Sequence, residues 1–222
     1  FKTRMPGKMI LEVKVNKSTL EKEVKFYLLN LTGLRDRLLA IGATMVSPRH
    51  REINYRFDTP DRTLGNSGRA LRLRQADQVT LTFKGPSSQE GGVRVRAEYE
   101  VEVDNLLNAQ AILEGLGYIQ TICYEKYRTV YHYNNLEISL DELPYGHFAE
   151  IEGEDPAAIQ LAARILALNW ENRVQASYLE LFEQLKKNGD LNVENLTFQE
   201  FLSIPISGQD LDIKPADTPA FL

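Results

Sequence analysis

The sequence predicts an α+β fold, an eight-stranded antiparallel closed β-barrel with helices packed on the outside. Three observations lead to this prediction. Apolar and polar residues alternate with a period of two in segment after segment, which is typical of strands with two different faces. The polar face of these strands consists almost entirely of Lys, Arg, Asp and Glu. Stretches with helical periodicity lie between the strands, so helices can cover the apolar faces.

The strands follow from this alternation. The clearest one spans residues 93–103, where Arg94, Arg96, Glu98, Glu100 and Glu102 alternate with apolar residues. Seven further segments share the pattern, at residues 21–28, 53–57, 69–74, 80–84, 126–133, 136–141 and 148–152. Turn residues separate most of them, and Asn134-Asn135 between two strands predicts a tight hairpin.

Four segments have helical periodicity, at residues 32–43, 105–116, 156–168 and 177–187. Gly42 and Gly117 follow the apolar stripes of the first two, as glycine commonly does at the C-terminus of a helix. Asp155 precedes Pro156 at the start of the third, an arrangement typical of a helix N-terminus. We expect these helices to form the outer layer.

Residues 1–187 are predicted to form one domain, and residues 188–222 an acidic, flexible C-terminal tail. The tail carries six acidic residues, one lysine and three prolines. A docked segment and a partner-binding peptide are alternative interpretations of the same residues. Residues 10–14 (ILEVK) are a candidate extra strand ahead of the first predicted one.

Composition excludes several classes of protein. Of the 222 residues, 43% are hydrophobic and 26% charged, as in ordinary globular proteins. No apolar run approaches the ~20 residues of a membrane helix, and no signal segment is visible, so we expect a cytoplasmic protein without a membrane partner. Cys123 is the single cysteine, which excludes a disulfide framework. The net charge of −5 lies in the tail, and the neutral body argues against a nucleic-acid partner.

The charged strand face carries the functional interpretation. Its basic residues are Lys25, Arg72, Arg74, Lys84, Arg94, Arg96, Lys126 and Arg128. Its acidic residues are Glu21, Glu23, Glu98, Glu100, Glu102, Glu137, Asp141, Glu150 and Glu152. A solvated sheet surface would explain any one strand, but exposed strands usually also carry many Thr, Ser, Gln and Asn.

If the charged face points into a closed barrel, its charges need partners or ligands, because an unpaired buried charge is costly. Carboxylates coordinate hard cations such as Mg²⁺ or Mn²⁺, and Arg and Lys bind phosphate oxygens. A metal–polyphosphate complex would satisfy both rows. The sequence has no P-loop motif and no zincin spacing of its three histidines.

Short motifs resemble those of the CYTH superfamily, the triphosphate tunnel metalloenzymes. Glu21-Lys22-Glu23-Val24-Lys25 is similar to the Glu-x-Glu-x-Lys signature of that family. Further matching motifs follow in order at residues 57–64, 68–74, 83–85, 96–100, 126–128, 141–143, 150–152 and 177–181. The resemblance implies an eight-stranded tunnel that holds a triphosphate through basic residues and divalent metals through carboxylates.

The resemblance also implies individual roles. Glu21, Glu23 and Glu150 would hold a metal on the phosphates. Glu100, Asp141 and Glu152 would hold a second metal that activates water, and Glu98 joins the candidate ligands. Phosphate oxygens would be bound by Arg72, Arg74, Lys84, Arg96, Lys126 and Arg128. Lys25 would bind substrate and stabilise charge at the reacting phosphoryl group. Arg56 departs from the pattern, since many relatives have an aromatic residue there.

Three functions fit this pattern. We favour metal-dependent hydrolysis of a triphosphate, inorganic or organic, by a metal-activated water that releases the terminal phosphate. A class IV-type adenylyl cyclase, making cyclic AMP and pyrophosphate from ATP, would use the same tunnel but needs an adenine pocket. A non-catalytic polyphosphate- or nucleotide-binding module would be expected to lack some metal carboxylates, and all are present. The expected assembly is a monomer or homodimer.

Overall fold

A computed structural model describes residues 20–189 and 191–217. Its strands are β1 Leu20–Leu28, β2 Thr44–Asp58, β3 Ala70–Gln75, β4 Val79–Glu90, β5 Val93–Val103, β6 Ile119–Tyr133, β7 Leu136–Leu143, β8 Gly146–Glu152 and β9 Arg173–Val174. Its helices are α1 Leu31–Ala40, α2 Thr63–Asn66, α3 Leu106–Gly115, α4 Pro156–Ile165 and α5 Tyr178–Gly189. The candidate strand at residues 10–14 lies outside the described residues.

The strands form one antiparallel sheet that closes on itself. Its order is β5-β4-β3-β2-β6-β7-β8-β1, and β1 pairs again with β5. In β1, Glu23 lies opposite Glu152 of β8 and opposite Arg94 of β5, so this strand completes the ring. The short strand β9 adds to β1 at Lys25. The predicted ring of eight antiparallel strands with helices outside is confirmed.

β2 is much longer than the predicted strand at residues 53–57. Its first half pairs with β6 through two register shifts, between Met45 and Ser47 and between Ser47 and His50. Bulges of this kind break the period-two alternation of side chains. The sequence pattern therefore could not predict residues 44–52 as part of a strand.

Apolar side chains between the ring and the helices form three clusters. In the first, Phe26 of β1 and Ile151 of β8 pack with Leu34 of α1 and Ile159 of α4, all fully buried. The second cluster packs α5, through Phe182 and neighbouring residues, against one end of the ring. The third packs α3 against β2 and β3. Each helix thus covers an apolar face that the alternation assigned to the outside.

Helix ends match the sequence signals closely. The Asp155 carboxylate accepts a hydrogen bond from the amide of Ala157, as a side-chain cap does. The side chain of Asn105 caps α3 in the same way, accepting from the amide of Asn108. Gly42 and Gly117, with φ of +81° and +91°, adopt the left-handed conformation that ends a helix and favours glycine.

Residues 191–217 correct the expectation of a flexible tail. Leu196, Phe201, Leu211 and Ala216 are buried against α5 and the ring. Leu196 forms a short parallel bridge with Tyr124 on β6. The physical reason is that these apolar residues are spaced irregularly, so neither periodicity revealed them.

The acidic residues of this segment also have structural partners. Asp217 accepts hydrogen bonds from the amides of Leu29 and Asn30, at 3.0 and 2.7 Å. Glu200 accepts from the amides of Glu194 and Asn195. These two carboxylates therefore satisfy backbone donors of neighbouring segments. Among the described helices, none is both long enough and apolar enough to span a lipid bilayer.

Candidate active site

A cavity of about 660 Å³ runs inside the ring, lined by the charged strand faces. It brings together all the predicted site residues except Asp141, namely Glu21, Glu23, Lys25, Arg72, Arg74, Lys84, Arg96, Glu98, Glu100, Lys126, Arg128, Glu150 and Glu152. Asp141 is fully buried behind this lining. Glu102, at the end of β5, is exposed and outside the lining.

One ionic group joins β3, β4 and β5. Arg74 contacts Glu100 at 3.0 Å, and Arg72 lies 3.6 Å from the same carboxylate. Thr82 donates a 2.7 Å hydrogen bond to Glu100. These contacts arise because the register places Arg72, Thr82 and Glu100 side by side on three adjacent strands. The carboxylate thereby holds two candidate phosphate-binding arginines in place.

A second group surrounds Lys84 on β4. Its ammonium nitrogen lies 2.7 Å from a Glu21 oxygen and 2.9 Å from a Glu98 oxygen. Burial raises the pKa of Glu21, and the attraction of Lys84 only partly offsets this. Burial opposes the charge of Lys84 as well, but Glu21 and other carboxylates raise its pKa above the usual value. The lysine therefore stays charged and holds two candidate metal ligands together.

Asp141 is the centre of a third group. It accepts hydrogen bonds from Arg128 Nε at 2.7 Å, from Lys126 Nζ at 3.1 Å and from the Tyr178 hydroxyl at 2.8 Å. Both carboxylate oxygens are thus engaged. In this structure Asp141 positions two basic residues and a tyrosine that line the cavity.

Glu150 links the third group to Lys25. Lys25 Nζ lies 3.0 Å from Glu150 and 4.4 Å from the centre of the Tyr178 ring. Arg128 also hydrogen-bonds to Glu150. Burial alone would raise the pKa of Glu150, but Lys25 and Arg128 outweigh burial and hold it well below the usual range. Lys25 therefore has a fixed position, between a carboxylate and an aromatic ring.

A row of carboxylates crosses β7, β8 and β1. Glu152 lies opposite Glu137 on one side and opposite Glu23 on the other. Burial raises the pKa of Glu23; Lys25 opposes this, whereas the nearby charges of Glu150 and Glu21 reinforce it. A hard divalent cation would relieve such crowding of half-buried carboxylates.

The described part of the chain contains no three His, Cys, Asp or Glu side chains that already converge on one metal position. Mg²⁺ is commonly held by one or two carboxylates plus substrate phosphates and waters, so a preformed cage is not required. By the chemistry of its donors, the acidic row fits a divalent cation that is bound together with a phosphate ligand.

β2 supplies site residues that the sequence analysis missed. Glu52 is buried within 3.5 Å of both Lys126 and Arg74 and 3.6 Å of His50. Arg56 lines the cavity. For Asn54 and Arg56 a signal was present, because they alternate with Ile53, Tyr55 and Phe57, whereas Glu52 precedes this alternation.

The start of α5 also reaches the cavity. Ser177, Tyr178 and Leu179 line it, and burial with the nearby Asp141 charge raises the pKa of Tyr178 well above the usual value. Tyr124 of β6 lines it too, with its hydroxyl 3.4 Å from Arg72. The motif at residues 177–181 indicated this segment by resemblance but assigned its residues no role, and a single aromatic residue in a strand gave no sequence signal for Tyr124.

Residues 19–197 match the profile of the CYTH domain. The chain belongs to the CYTH family. Two relatives by sequence are a Methanocaldococcus jannaschii protein whose name proposes an adenylate cyclase and the adenylate cyclase CyaB of Aeromonas hydrophila. The first is 27% identical over 73% of this chain and 98% of the relative. The second is 28% identical over 59% of this chain and 67% of the relative.

Solved structures share the CYTH ring. A Vibrio parahaemolyticus protein superposes with a TM-score of 0.69 at 24% identity, covering 75% of this chain and 99% of that one. A Hippeastrum protein superposes with a TM-score of 0.56 at 19% identity, covering 74% and 94%. The Hippeastrum protein is described as an adenylyl cyclase candidate with a dominant triphosphatase activity. At these identities the likeness shows the fold.

Proposed function

We propose that this CYTH protein is a divalent-metal-dependent hydrolase that releases the terminal phosphate of a triphosphate. The observation that carries the proposal is the cavity itself, in which rows of Lys and Arg face rows of Glu inside one closed ring. A polyphosphate chain presents oxygens to the basic rows, and its metal ion presents positive charge to the acidic rows.

The basic residues bind and orient the chain. Arg72, Arg74 and Arg128 carry planar guanidinium groups, which match two phosphate oxygens at once. Glu100 and Asp141 hold these groups in position. Such positioning lowers the barrier, because little reorganisation is left for the reaction itself.

Lys25 would stabilise charge on the reacting phosphoryl group. Glu150 and, to a lesser extent, Glu23 outweigh the effect of burial and raise its pKa, so it stays protonated near neutral pH. The Tyr178 ring packs beside the ammonium group and limits its movement.

Glu21, Glu23, Glu150 and Glu152 are the residues that would hold Mg²⁺ or Mn²⁺. When bound, such an ion would neutralise phosphate charge and acidify a water molecule. Glu98 and Glu100 are further candidate ligands. Like Glu21 and Glu150, each first has to separate from a basic partner. Asp141 would contribute by orienting Lys126 and Arg128.

Adenylyl cyclase activity is the second candidate, favoured by the names of the M. jannaschii and A. hydrophila relatives. The Hippeastrum structure weakens inference from such names, since that protein pairs a cyclase name with a dominant triphosphatase activity. Both reactions use a triphosphate and a metal, so the products have to distinguish them.

Phosphorus NMR of the full chain with Mg²⁺ or Mn²⁺, and with tripolyphosphate or ATP, tests the proposal. Orthophosphate plus pyrophosphate from tripolyphosphate, or orthophosphate plus ADP from ATP, is the expected result. Cyclic AMP plus pyrophosphate from ATP would replace the proposal with the cyclase. Absence of turnover with both substrates would contradict the proposal and favour a binding module.

A substitution pair tests the role of the acidic row. Glu23→Gln should lower turnover at least tenfold, because it removes one carboxylate from the row without changing side-chain volume. Glu102→Gln on β5 is the matched control, since Glu102 lies outside the cavity lining. Equal turnover of the two variants would rule out a metal-binding role for Glu23.

A further inference from the structure

Residues 207–213 form a compact turn that lies against Tyr27 of β1. The amide of Ile213 donates a 3.0 Å hydrogen bond to the carbonyl of Gly208 and closes the turn. Shortly after it, the amide of Ala216 donates to the carbonyl of Tyr27 at 2.9 Å. The turn comes after the stretch that matches the CYTH profile, so the family likeness assigns it no role.

The Tyr27 ring is confined between two glycines. A Cβ atom added to Gly208 would lie 2.8 Å from Cε1 of the ring, and one added to Gly146 would lie 2.8 Å from Cε2. Both distances are well below an ordinary carbon–carbon contact of about 3.5–4.0 Å. Gly208 does not have a positive φ, so the close approach of the ring requires glycine there. The ring therefore has no room to move toward either glycine.

Three rings in contact lead from Tyr27 to the cavity. The ring centres of Tyr27 and Phe148 are 5.4 Å apart, and those of Phe148 and Tyr178 are 5.1 Å apart. The Tyr178 ring centre lies 4.4 Å from Lys25 Nζ. All three rings are buried, Phe148 completely. Because a protein interior is close-packed, a ring that is displaced has to displace its neighbours.

We propose that the turn at residues 207–213 positions Lys25 through these three rings, with Gly208 as the positioning residue. The ammonium group of Lys25 is held between the Tyr178 ring and Glu150, so the place of the ring sets one of its two sides. A turn outside the matched profile thereby contributes to the geometry of the cavity. The inference rests on the proposed function for the role of Lys25 in the reaction.

Gly208→Ala tests the proposal by pushing on the first ring. The added Cβ has to gain roughly 0.7–1.2 Å to reach an ordinary contact with Tyr27. A misplacement of about 1 Å near a reacting group can cost about 10²-fold in rate. Since part of the displacement is absorbed over three ring contacts, we expect kcat for tripolyphosphate to fall about three- to tenfold.

Gly115→Ala is the matched control. Gly115 is the last residue of α3, and no atom lies within 4 Å of the Cβ that the substitution adds. The same chemical change is made there without pressure on a neighbour, so kcat should stay as in the wild type. An unchanged kcat for Gly208→Ala as well would overturn the proposal.

A double-mutant cycle with Lys25→Met separates positioning from a loss of folded protein. A smaller folded fraction would lower turnover by the same factor whether or not Lys25 is present. An effect that acts through Lys25 should disappear from the residual turnover of Lys25→Met. Equal fold losses in the two backgrounds would therefore refute the positioning role.

The same cycle on the affinity for tripolyphosphate, by calorimetry in EDTA, keeps this inference distinct from the proposed hydrolase. Gly208→Ala should weaken binding about two- to fivefold, a fraction of what the loss of a whole charge-assisted contact costs, and should leave the affinity of Lys25→Met unchanged. A protein that shows this coupling but no turnover would refute the hydrolase and keep the positioning role. Turnover without coupling in either readout would refute the positioning role and keep the hydrolase.

Discussion

Replacing Asp141 by Asn removes one charge from a fully buried ionic group. The carboxylate accepts four hydrogen bonds at 2.5–3.1 Å, two from Arg128 and one each from Lys126 and Tyr178. Neutralising one partner of a buried ion pair typically costs about 3–5 kcal/mol. Here Arg128 keeps Glu150, and Lys126 keeps Glu52 at 3.5 Å. We therefore expect the lower end of this range, a loss of about 3 kcal/mol in the free energy of unfolding.

Urea unfolding at pH 7 in EDTA, followed by the fluorescence of the single tryptophan, Trp170, measures this loss. Glu142→Gln is the matched control. Glu142 is the next residue along β7 and pairs with Arg49 at 2.7 Å, but about half of the Arg49 side chain is exposed. An exposed pair contributes about 1 kcal/mol or less. A loss below about 1 kcal/mol for Asp141→Asn, with an unchanged m-value, would refute the reasoning that Asp141 anchors this part of the ring.

Three further predictions follow from the same contacts. Leu196→Ala should cost about 2–5 kcal/mol in urea unfolding, because Leu196 is fully buried, whereas Leu202→Ala at a 73% exposed position should change it by less than about 0.5 kcal/mol. The pKa of Glu23 is raised above 4.5 in the folded state, so its carboxylate destabilises the fold increasingly as pH rises through the folded pKa. Glu23→Gln should therefore melt higher than the wild type at pH 8 but not at pH 4; equal shifts at both pH values would contradict this. Lys25→Met should slow tripolyphosphate turnover about 10²–10³-fold in a phosphate-release assay, and a rate within threefold of wild type would exclude a role in charge stabilisation.

Most of the ring could be predicted from sequence because its two faces are chemically so different. In β5, Arg94, Arg96, Glu98 and Glu100 alternate with apolar residues, so one face of the strand is charged. In the closed ring this charged face lines the cavity. The same reasoning located the cavity and nearly all its predicted residues. This reasoning depends on period-two alternation alone, which is a local property of the chain.

Contacts between distant elements could not be predicted in this way. Alternation places Asp141 on the inner face of β7, but its depth depends on Tyr178, 37 residues further along the chain. The docking of residues 191–217 depends on a few apolar residues at irregular spacing. Residues 44–52 of β2 were hidden by two bulges. In each case tertiary packing, not local periodicity, decides the structure.

The pairing of charges inside the ring has opposite consequences for its two kinds of basic residue. A paired residue such as Arg128 is held by Asp141 and Glu150, so the ring closes without a ligand, and loss of the pairing should reduce stability as well as binding. Arg56 also lines the cavity but forms no ion pair with a described residue, so its loss should lower stability less than the loss of Arg128. Stability measured beside ligand affinity therefore separates residues that build the tunnel from residues present only for its ligand. That distinction cannot be read from the sequence, where both kinds are simply basic residues on the inner face.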